Sequence, residues 1–288
     1  MSLSGQNLTI VIVTLKSDDV IHECIKSIDQ NIPIIIVENS NNYNFKEELQ
    51  SKYKNIKCIL TEKNLGMGAG NNKGIKLAET DYVYILNPDT ILEKNTLNDL
   101  FMEAKKIKNF SIISPVHLNE KIPNWKNNTS IDFNEHQPFE VDSVDGFSML
   151  INKNFLKEPY FDENFFLYLE NDDLCLRAKK EGGHIFIIPK AKISHKGAKA
   201  VDQKYIKEIE LSRNWHWIWS KFYFNKKHYG FFKAFFNGLP SFISSIINYL
   251  FFFLLNNRDK KNIYFNRASG FLNALIGKSS WYRPSLDD

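Results

Sequence analysis

Cysteine is scarce in this chain and follows no recognisable spacing. The three cysteines, Cys24, Cys58 and Cys175, are odd in number and widely separated. They offer neither the paired spacing of a zinc site nor the even set of a disulfide framework. The sequence therefore predicts reduced thiols in a cytoplasmic setting.

Other common signals are also missing from the sequence. The first 15 residues, MSLSGQNLTIVIVTL, lack the basic start and long apolar stretch of a secretory signal, so none is expected. Neither GxxxxGK[ST] nor GxGxxG occurs, which excludes the P-loop and dinucleotide-binding patterns. No internal repeat is visible.

Positive charge is concentrated at one end of the chain. The net charge of +4 hides a division, because residues 204–288 carry 13 Lys and Arg against 5 Asp and Glu. Their basic residues alternate with long Phe, Ile and Leu runs rather than with polar residues. This favours an anionic membrane surface or a phosphate-bearing partner, and it disfavours nucleic acid.

Short apolar runs alternate with helical spacing through the first half of the chain. The runs at residues 8–15, 32–37, 56–60, 82–86 and 110–113 are β-branched and do not alternate with polar residues. Such runs are typical of strands covered on both faces, so we predict an α/β fold with a mainly parallel sheet flanked by helices. We place this domain at residues 1–203 and a helical appendage at 204–288.

Later segments continue this pattern less regularly. Residues 122–140 are polar and aromatic, and we expect a loop over the site. Residues 141–151 predict one strand, in which Gly146 permits close approach of another backbone. Residues 161–182 predict a loop that enters a helix, and residues 184–189 a strand followed by a loop that contains His195.

Asp89 is the strongest single candidate for a functional residue. It follows the buried run 82–86 through Asn87 and Pro88, and ligands of parallel sheets gather at the carboxyl ends of strands. A carboxylate there is suited to Mg²⁺ or Mn²⁺ bound to a diphosphate. The alternative is an Asx turn or a helix cap.

Three further groups of residues accompany Asp89. In the Gly/Asn-rich segment 64–72, glycines at 66, 68 and 70 permit positive φ and expose backbone NH groups. Glu38, Asn39 and Ser40 end another apolar run, where they would grip a nucleoside or form a capping turn. His195 is either a metal or diphosphate contact or a surface histidine.

Glu170, Asp172 and Asp173 form a second acidic cluster. On a helix, positions 170 and 173 share a face, and an Asp173–Arg177 pair is geometrically available. The cluster is either a helix start enriched in acids or a general base that takes a proton from an acceptor hydroxyl.

As an ordered set, these motifs resemble glycosyltransferase family 2, in particular its bacterial rhamnosyltransferase-like branch. The resemblance covers residues 8–200 and rests on NLG and GNN at 64–72, LNPD at 86–89, DG at 145–146, FDENFF at 161–166, Tyr168, Glu170, DLC at 173–175, Arg177 and His195. It implies a GT-A fold, a UDP- or dTDP-sugar donor, a Mn²⁺ or Mg²⁺ ion and inversion at the anomeric carbon.

The resemblance also implies a role for each matching residue. Nucleoside contacts are expected from Thr14, Glu38, Asn39, Asn64, Gly66, Gly70, Asn71 and Asn87, metal contacts from Asp89 and His195, and acceptor-side contacts from Asp145 and Gly146. Asn171 stands where many relatives carry an Asp that is taken as the base. Asn cannot accept a proton at neutral pH, so we expect Glu170 to act as base, with Asp173 and Asp172 as alternatives.

The apolar tail has several interpretations. Residues 234–257 contain no charge, and about 20 residues suffice to cross a bilayer. Asn237, Pro240 and three serines disfavour a span, and the aromatic and basic residues before it are typical of an interfacial helix. We expect peripheral attachment to the inner face of the cytoplasmic membrane; a buried appendage or a homodimer contact are the alternatives.

These observations favour an enzyme that transfers a deoxyhexose or similar sugar to a saccharide acceptor during the synthesis of a surface polysaccharide. A membrane-facing tail would suit an acceptor sugar that is linked to a lipid. A sugar nucleotidyltransferase would carry a basic Gly-rich signature near residue 10, where the chain has TIVIVTLKS. A non-catalytic, membrane-associated nucleotide-sugar binder is the third reading, supported by Asn171.

Overall fold

The described part of the chain forms two compact units. The structure is a computed structural model and describes residues 7–107, 109–118, 123–127, 137–197 and 199–286. The first unit contains the described residues up to Asp162 together with Asn171–Asp202. The second contains Glu163–Glu170 and the described residues from Gln203 onward. Most of the loop predicted at 122–140 lies outside the described residues.

Every strand found in the described residues belongs to the first unit. They are β1 (Leu8–Thr14), β2 (Ile34–Glu38), β3 (Ile56–Leu60), β4 (Tyr82–Leu86), β5 (Thr90–Leu92), β6 (Phe110–His117), β7 (Trp125–Lys126), β8 (Phe139–Glu140), β9 (Ser143–Val144), β10 (Ser148–Asn152) and β11 (His184–His195).

The helices fall into two sets. The first set is α1 (Asp18–Lys26), α2 (Tyr43–Lys52), α3 (Met67–Leu77), α4 (Thr96–Lys106) and α5 (Glu170–Lys180), and the second is α6 (Ile206–Tyr229), α7 (Phe231–Leu254) and α8 (Arg258–Leu275). Short 3₁₀ turns occur at Lys153–Phe155 and Gln203–Tyr205.

The main sheet is mixed and mostly parallel, as the sequence predicts. Its order is β3-β2-β1-β4-β10-β6-β11-β5, and β8 pairs with β11. Strands β3, β2, β1 and β4 run parallel to one another, and β10 is antiparallel to both of its neighbours. Thr14 lies opposite Glu38 in the register, so the parallel strands end at one edge of the sheet.

Strand β1 shows why the sheet forms. All seven residues of Leu8–Thr14 are buried. Ile10 and Ile12 enter the hydrophobic cluster on one face, and Val11 and Val13 enter the cluster on the other. A strand that buries both faces needs a continuous apolar run, which is what residues 8–13 supply.

The single strand predicted at residues 141–151 is wrong. The segment divides into β9, which pairs with β7 in a separate two-stranded sheet, and β10, which enters the main sheet. Between them the Asp145 backbone NH donates to the Asn124 carbonyl at 2.9 Å, and Phe147 accepts from the Asn87 backbone NH. Asp145 and Gly146 are therefore presented in a connection rather than inside a strand.

The second unit is built on three helices. Its core contains Trp215, Trp219 and Phe222 of α6 and Phe271 of α8. A Cβ atom at Gly270 would lie 2.4 Å from the Trp215 carbonyl oxygen, so glycine is needed where these two helices meet.

Helix α7 leaves most of its apolar surface exposed. By length and composition it could cross a membrane, and only 11% of its most apolar window is buried in the protein. Among the described residues it is the one helix that meets this description.

Candidate functional site

Asp89 occupies a buried turn between β4 and β5. The turn is closed by the Thr90 hydroxyl, which donates to the Asn87 carbonyl at 2.7 Å. Asp89 is 2% exposed. It caps no helix, because α4 begins only after Asn95. The alternative prediction that Asp89 caps a helix is therefore wrong.

His195 lies directly beside Asp89. Its Nε2 atom is 3.2 Å from Asp89 Oδ1. The sequence prediction of a loop at His195 is wrong, because β11 continues to this residue and pairs with β5, where His195 lies opposite Thr90. Pairing with the three-residue strand β5 extends β11 to His195 and brings the His195 imidazole next to the Asp89 carboxylate.

The Phe147 ring fixes the orientation of this imidazole. The Phe147 and His195 rings are stacked, with centroids 4.2 Å apart and planes 18° apart. Phe147 is not among the residues predicted from the sequence, where its position after the Asp145-Gly146 pair is the one signal near it. Its stacking partner lies 48 positions further along the chain, so the contact depends on the tertiary fold.

The two oxygens of Asp89 differ in their surroundings. Oδ2 accepts a hydrogen bond from the Lys199 backbone NH at 3.3 Å. Oδ1 is buried and has no hydrogen-bond partner, since the close approach of His195 lacks hydrogen-bond geometry. A buried acceptor without a donor is costly, by about 1–3 kcal/mol. A bound cation would remove that cost.

The chemistry of this pair fits a divalent cation. Within the described ranges, no group of three or more His, Cys, Asp or Glu side chains could hold a metal. Mg²⁺ in nucleotide sites commonly takes one or two protein carboxylates and completes its shell with phosphate oxygens and water. Asp89 and His195 carry the carboxylate and imidazole groups that could hold such an ion.

Three other predicted donor-site residues also have unsatisfied atoms. Thr14 Oγ1, Asn71 Oδ1 and Asn87 Oδ1 are buried without a hydrogen-bond partner. Thr14 ends β1, Asn87 follows the neighbouring β4, and Asn71 lies in α3, which packs on β1. Buried polar atoms are normally paired, so their accumulation at predicted ligand contacts indicates a ligand-binding site.

The loop before α3 is held by Asn39. The Asn39 Nδ2 atom donates to the Gly66 carbonyl at 3.2 Å, and Oδ1 accepts from the Leu65 backbone NH at 3.4 Å. Asn64 Oδ1 accepts from the Gly66 backbone NH at 3.0 Å, which forms an Asx turn. Asn39 therefore positions the loop, in addition to any contact with a donor.

Only one glycine of this loop has positive φ. Gly66 has φ of 82°, whereas Gly68 and Gly70 lie inside α3, so the positive φ that all three glycines permit is adopted only at Gly66. At Gly70 a Cβ atom would come within 3.0 Å of the Val13 side chain. Gly70 is needed for close packing of α3 on β1 rather than for a turn.

Glu38 is buried, and its carboxylate closes the next turn. It accepts hydrogen bonds from the backbone NH groups of Ser40 and Asn42, the latter at 2.9 Å. Asn42 is in turn the cap of α2, where its side chain accepts from the Phe45 backbone NH. The structure thus shows Glu38 in the capping-turn arrangement at the carboxyl end of β2.

Asp145 and Gly146 lie next to Asn171. The Asn171 side-chain amide donates to the Val144 carbonyl at 2.8 Å, and a Cβ atom at Gly146 would be 3.3 Å from Asn171 Cβ. Burial raises the pKa of the Asp145 carboxyl above its usual range; Lys126 opposes this shift and Asp172 adds to it. A carboxyl with a raised pKa is suited to accepting a proton.

The carboxylates of Asp172 and Asp173 are both engaged locally. Asp172 accepts from Lys126 Nζ at 2.7 Å and from Ser143 Oγ at 2.8 Å. Asp173 is buried and pairs with Arg177 at 2.8 Å, the pair that the sequence spacing permits. Either residue would have to leave an ion pair to act as a base.

Glu170 belongs to the second unit, although it is the first residue of α5. It is 8% exposed. Asn171, Asp172 and Asp173 belong to the first unit, so the acidic cluster that is continuous in sequence is divided between the two units.

Comparison with known proteins gives the same family as the motif order. The pattern of the family described as "Glycosyl transferase family 2" matches residues 9–173, which is more than half of the chain. A hexosyltransferase of low-salt glycan biosynthesis, Agl10 of Haloferax volcanii, is 29% identical over 198 residues, which cover 62% of this chain and 64% of that protein. The rhamnosyltransferase WbbL of Escherichia coli K12 is 26% identical over 212 residues, covering 62% of this chain and 80% of WbbL.

Solved structures agree on the fold. Residues 1–349 of TarS from S. aureus give a TM-score of 0.52 at 13% identity, covering 98% of this chain and 94% of that one. GalNAc-T7, solved with UDP, GalNAc and Mn²⁺, gives 0.55 at 14% identity, covering 75% of this chain and 50% of that one. These likenesses confirm the predicted GT-A fold. The chain belongs to glycosyltransferase family 2.

Proposed function

We propose that this protein is an inverting, metal-dependent glycosyltransferase of cell-surface polysaccharide synthesis, such as that of an O-antigen. It transfers a sugar, with rhamnose or a similar deoxyhexose favoured, from a nucleoside diphosphate to a hydroxyl of a saccharide acceptor. The observation that carries this proposal is the buried, unsatisfied Oδ1 atom of Asp89 beside His195.

The donor is expected along the carboxyl edge of the parallel strands. Thr14, Asn71 and Asn87 offer three buried polar atoms that lack partners, and a nucleoside diphosphate has donors and acceptors to satisfy them. The Gly66 turn, held by Asn39, exposes backbone at the same edge. TarS has been solved with UDP and with UDP-GlcNAc, which supports a UDP- or dTDP-sugar as donor here.

Asp89 and His195 would hold Mn²⁺ or Mg²⁺. Such an ion stabilises the negative charge of a departing nucleoside diphosphate. The protein orients the ion's ligands through the Phe147 stack on His195 and through the Lys199 backbone NH on Asp89. Both contacts fix the carboxylate and imidazole before a donor arrives.

Glu170 is the proposed base. It would take the proton from the acceptor hydroxyl as that oxygen attacks the anomeric carbon from the face opposite the nucleoside diphosphate, which inverts the configuration. Asp172 and Asp173 are weaker candidates because both are held in ion pairs. Asp145 and Gly146 are assigned to the acceptor side.

We further propose that the protein is peripheral on the inner face of the cytoplasmic membrane. Helix α7 exposes large apolar side chains, including Phe232, Phe236 and Leu254. Lys226 and Lys227 lie in the last turn of α6 and Lys233 in the first turn of α7, and cations near an apolar face favour anionic lipid. Attachment there suits a lipid-linked acceptor; pairing of two copies through the same face is the alternative.

A non-catalytic binder of nucleotide sugars is the second candidate. Asn171 stands at the position where many relatives carry an Asp, and an amide cannot accept a proton at neutral pH. Its Nδ2 atom donates to the Val144 carbonyl. This candidate predicts donor binding without transfer.

Calorimetric titration with a panel of nucleotide sugars, with and without Mn²⁺, tests the proposal. One donor should bind wild-type protein in a Mn²⁺-dependent way and should not bind Asp89→Ala. Asp81→Ala is the matched control, because Asp81 is exposed beside the opposite end of β4. Failure of every donor to bind folded wild-type protein would refute the proposal, and binding without transfer to any acceptor would favour the second candidate.

A further inference from the structure

The second unit contains an open cavity of its own, lined by charged and aromatic side chains. Its volume is about 410 Å³, within the ~300–1,000 Å³ of ligand pockets. Glu210, Arg213, Asn214 and Trp217 recur at the spacing of one helix face on α6, and α8 contributes from across the cavity. The lining side chains that matter here are Tyr168, Glu210, Arg213, Asn214, Trp217 and Arg267.

Two arginines give the cavity its charge. In the part of the chain that the structure describes, Arg213 and Arg267 take part in no ion pair. Arg267 Nε is buried and has no hydrogen-bond partner. With Glu210 present, the lining keeps one positive charge in excess. A buried guanidinium NH without an acceptor is costly, so an anionic oxygen is the expected partner.

Two aromatic rings lie in the lining with these cations. Tyr168 and Trp217 meet edge to face, with ring centroids 5.5 Å apart and planes at 89°. Trp217 remains 43% exposed, which is unusual for so large an apolar side chain. An open indole face suits the C–H face of a sugar ring.

The backbone beside the cavity is strained. Tyr168 and Leu169 have φ of 71° and 66°, and neither residue is glycine. Two consecutive bulky residues in the left-handed region cost about 1–3 kcal/mol each, and such strain concentrates at functional sites. The strained pair immediately precedes Glu170, and both belong to the same unit.

We propose that this cavity binds the phosphate-bearing end of the acceptor, with phosphate oxygens on Arg213 and Arg267 and the first sugar ring on Trp217. Planar guanidinium groups bind phosphate through paired N–H donors, and the two arginines come from different helices, so they can approach one phosphate group from two sides. The identity of the bound molecule as the acceptor rests on the proposed function, whereas the binding of a sugar phosphate in this cavity does not. The sugar phosphate is either attached to a lipid or free in solution.

The test uses the full chain without donor, titrated with glucose 1-phosphate, with methyl glucoside, and with polyprenyl-phosphate-linked glucose in phosphatidylcholine vesicles. Tryptophan fluorescence or calorimetry reports binding. We expect the phosphorylated sugars to bind and methyl glucoside not to bind. Binding of the vesicle-borne form alone identifies a lipid-linked source, and binding of both forms identifies the phosphate as sufficient.

Arg213→Gln and Arg267→Gln should each weaken binding by at least about tenfold, since a charge-assisted contact is lost. Arg258→Gln, which removes an exposed cation at the start of α8, is the matched control and should bind like wild type. Arg267→Lys keeps the charge but not the paired donors, so it should fall between wild type and Arg267→Gln, and far-ultraviolet circular dichroism checks the fold of each variant.

Equal affinity of wild type and both glutamine variants for the phosphorylated sugars would overturn the proposal, as would equal affinity for methyl glucoside. Donor titration with Mn²⁺ on the same samples separates this site from the proposed function. The arginine variants should bind the nucleotide sugar normally, whereas Asp89→Ala should lose the donor and keep the sugar phosphate.

Discussion

His216 should make the second unit sensitive to mild acid. It is completely buried, and its Nε2 atom lies 2.8 Å from the Tyr282 carbonyl oxygen. Because a carbonyl only accepts, Nε2 carries the proton and Nδ1 is the bare nitrogen, buried with no partner. Protonation would place a charge among Trp215, Phe166 and Tyr282.

Burial lowers the pKa of His216 to about 4, the hydrogen bond to Tyr282 opposes this shift, and Arg283 adds to it. The unfolded chain takes up the proton near the ordinary histidine pKa of about 6.5, whereas the folded protein does not. Stability is therefore lost as pH falls from about 6.5 towards about 4. The loss from this residue alone is about 2 kcal/mol between pH 7 and pH 5.

Urea unfolding followed by tryptophan fluorescence measures this loss, because Trp215, Trp217, Trp219 and Trp281, four of the five tryptophans, lie in the second unit. His216→Gln can still donate to Tyr282 but does not titrate, so its stability should fall by about 2 kcal/mol less than that of wild type over this range. His228→Gln on the same helix controls for removal of an imidazole. Identical pH dependence in wild type and His216→Gln would refute the argument.

Three further predictions concern the first unit and the base. Alanine normally stabilises a helix relative to glycine, but a Cβ atom at Gly74 would lie 2.3 Å from Val11 Cγ1. Gly74→Ala should therefore lower the free energy of unfolding by about 1–3 kcal/mol. Thermal unfolding measures this loss, and an unchanged melting temperature would contradict the close packing of Gly74 on Val11. Asn39→Ala removes the contacts to the loop before α3; it should raise the donor Kd about tenfold with little change in kcat, and a change confined to kcat would count against a positioning role. Glu170→Gln should lower kcat by about 10²–10⁴-fold if Glu170 is the base; a larger loss in Asp145→Asn would transfer that role to Asp145.

Local patterns predict the strands that bury both faces. The runs at 56–60 and 82–86 coincide with β3 and β4. Strand β4 buries four of its five residues, as expected of an apolar run covered on both faces, whereas Lys57 in β3 is exposed. Asp89 is also predictable from local sequence, since it follows such a run. The apolar run at 82–86 indicates that a strand ends just before Asp89.

Contacts between distant segments were not predictable in the same way. His195 joins β11 only because Thr90–Leu92 pairs with it, and a three-residue strand has no sequence signature. Residues 163–170 belong with the second unit because Phe165 and Phe166 pack on Tyr223 and His216. Neither the motif FDENFF nor its spacing carries information about that partner.

A buried hydroxyl without a hydrogen-bond partner should affect stability differently from a buried hydroxyl that has one. Thr14 Oγ1 has no hydrogen-bond partner, whereas Thr9 Oγ1, buried on the same strand, accepts from Thr80 Oγ1 at 2.9 Å. Replacing an unsatisfied hydroxyl by a methyl group of the same shape removes a desolvation cost of about 1–3 kcal/mol, but replacing a satisfied one breaks a hydrogen bond. Thr14→Val should therefore stabilise the protein without donor and weaken donor binding, while Thr9→Val should destabilise it and leave donor affinity unchanged. If both variants lowered stability in urea unfolding, the Thr14 hydroxyl would belong to the structure of the sheet, and its place in the donor site would be wrong.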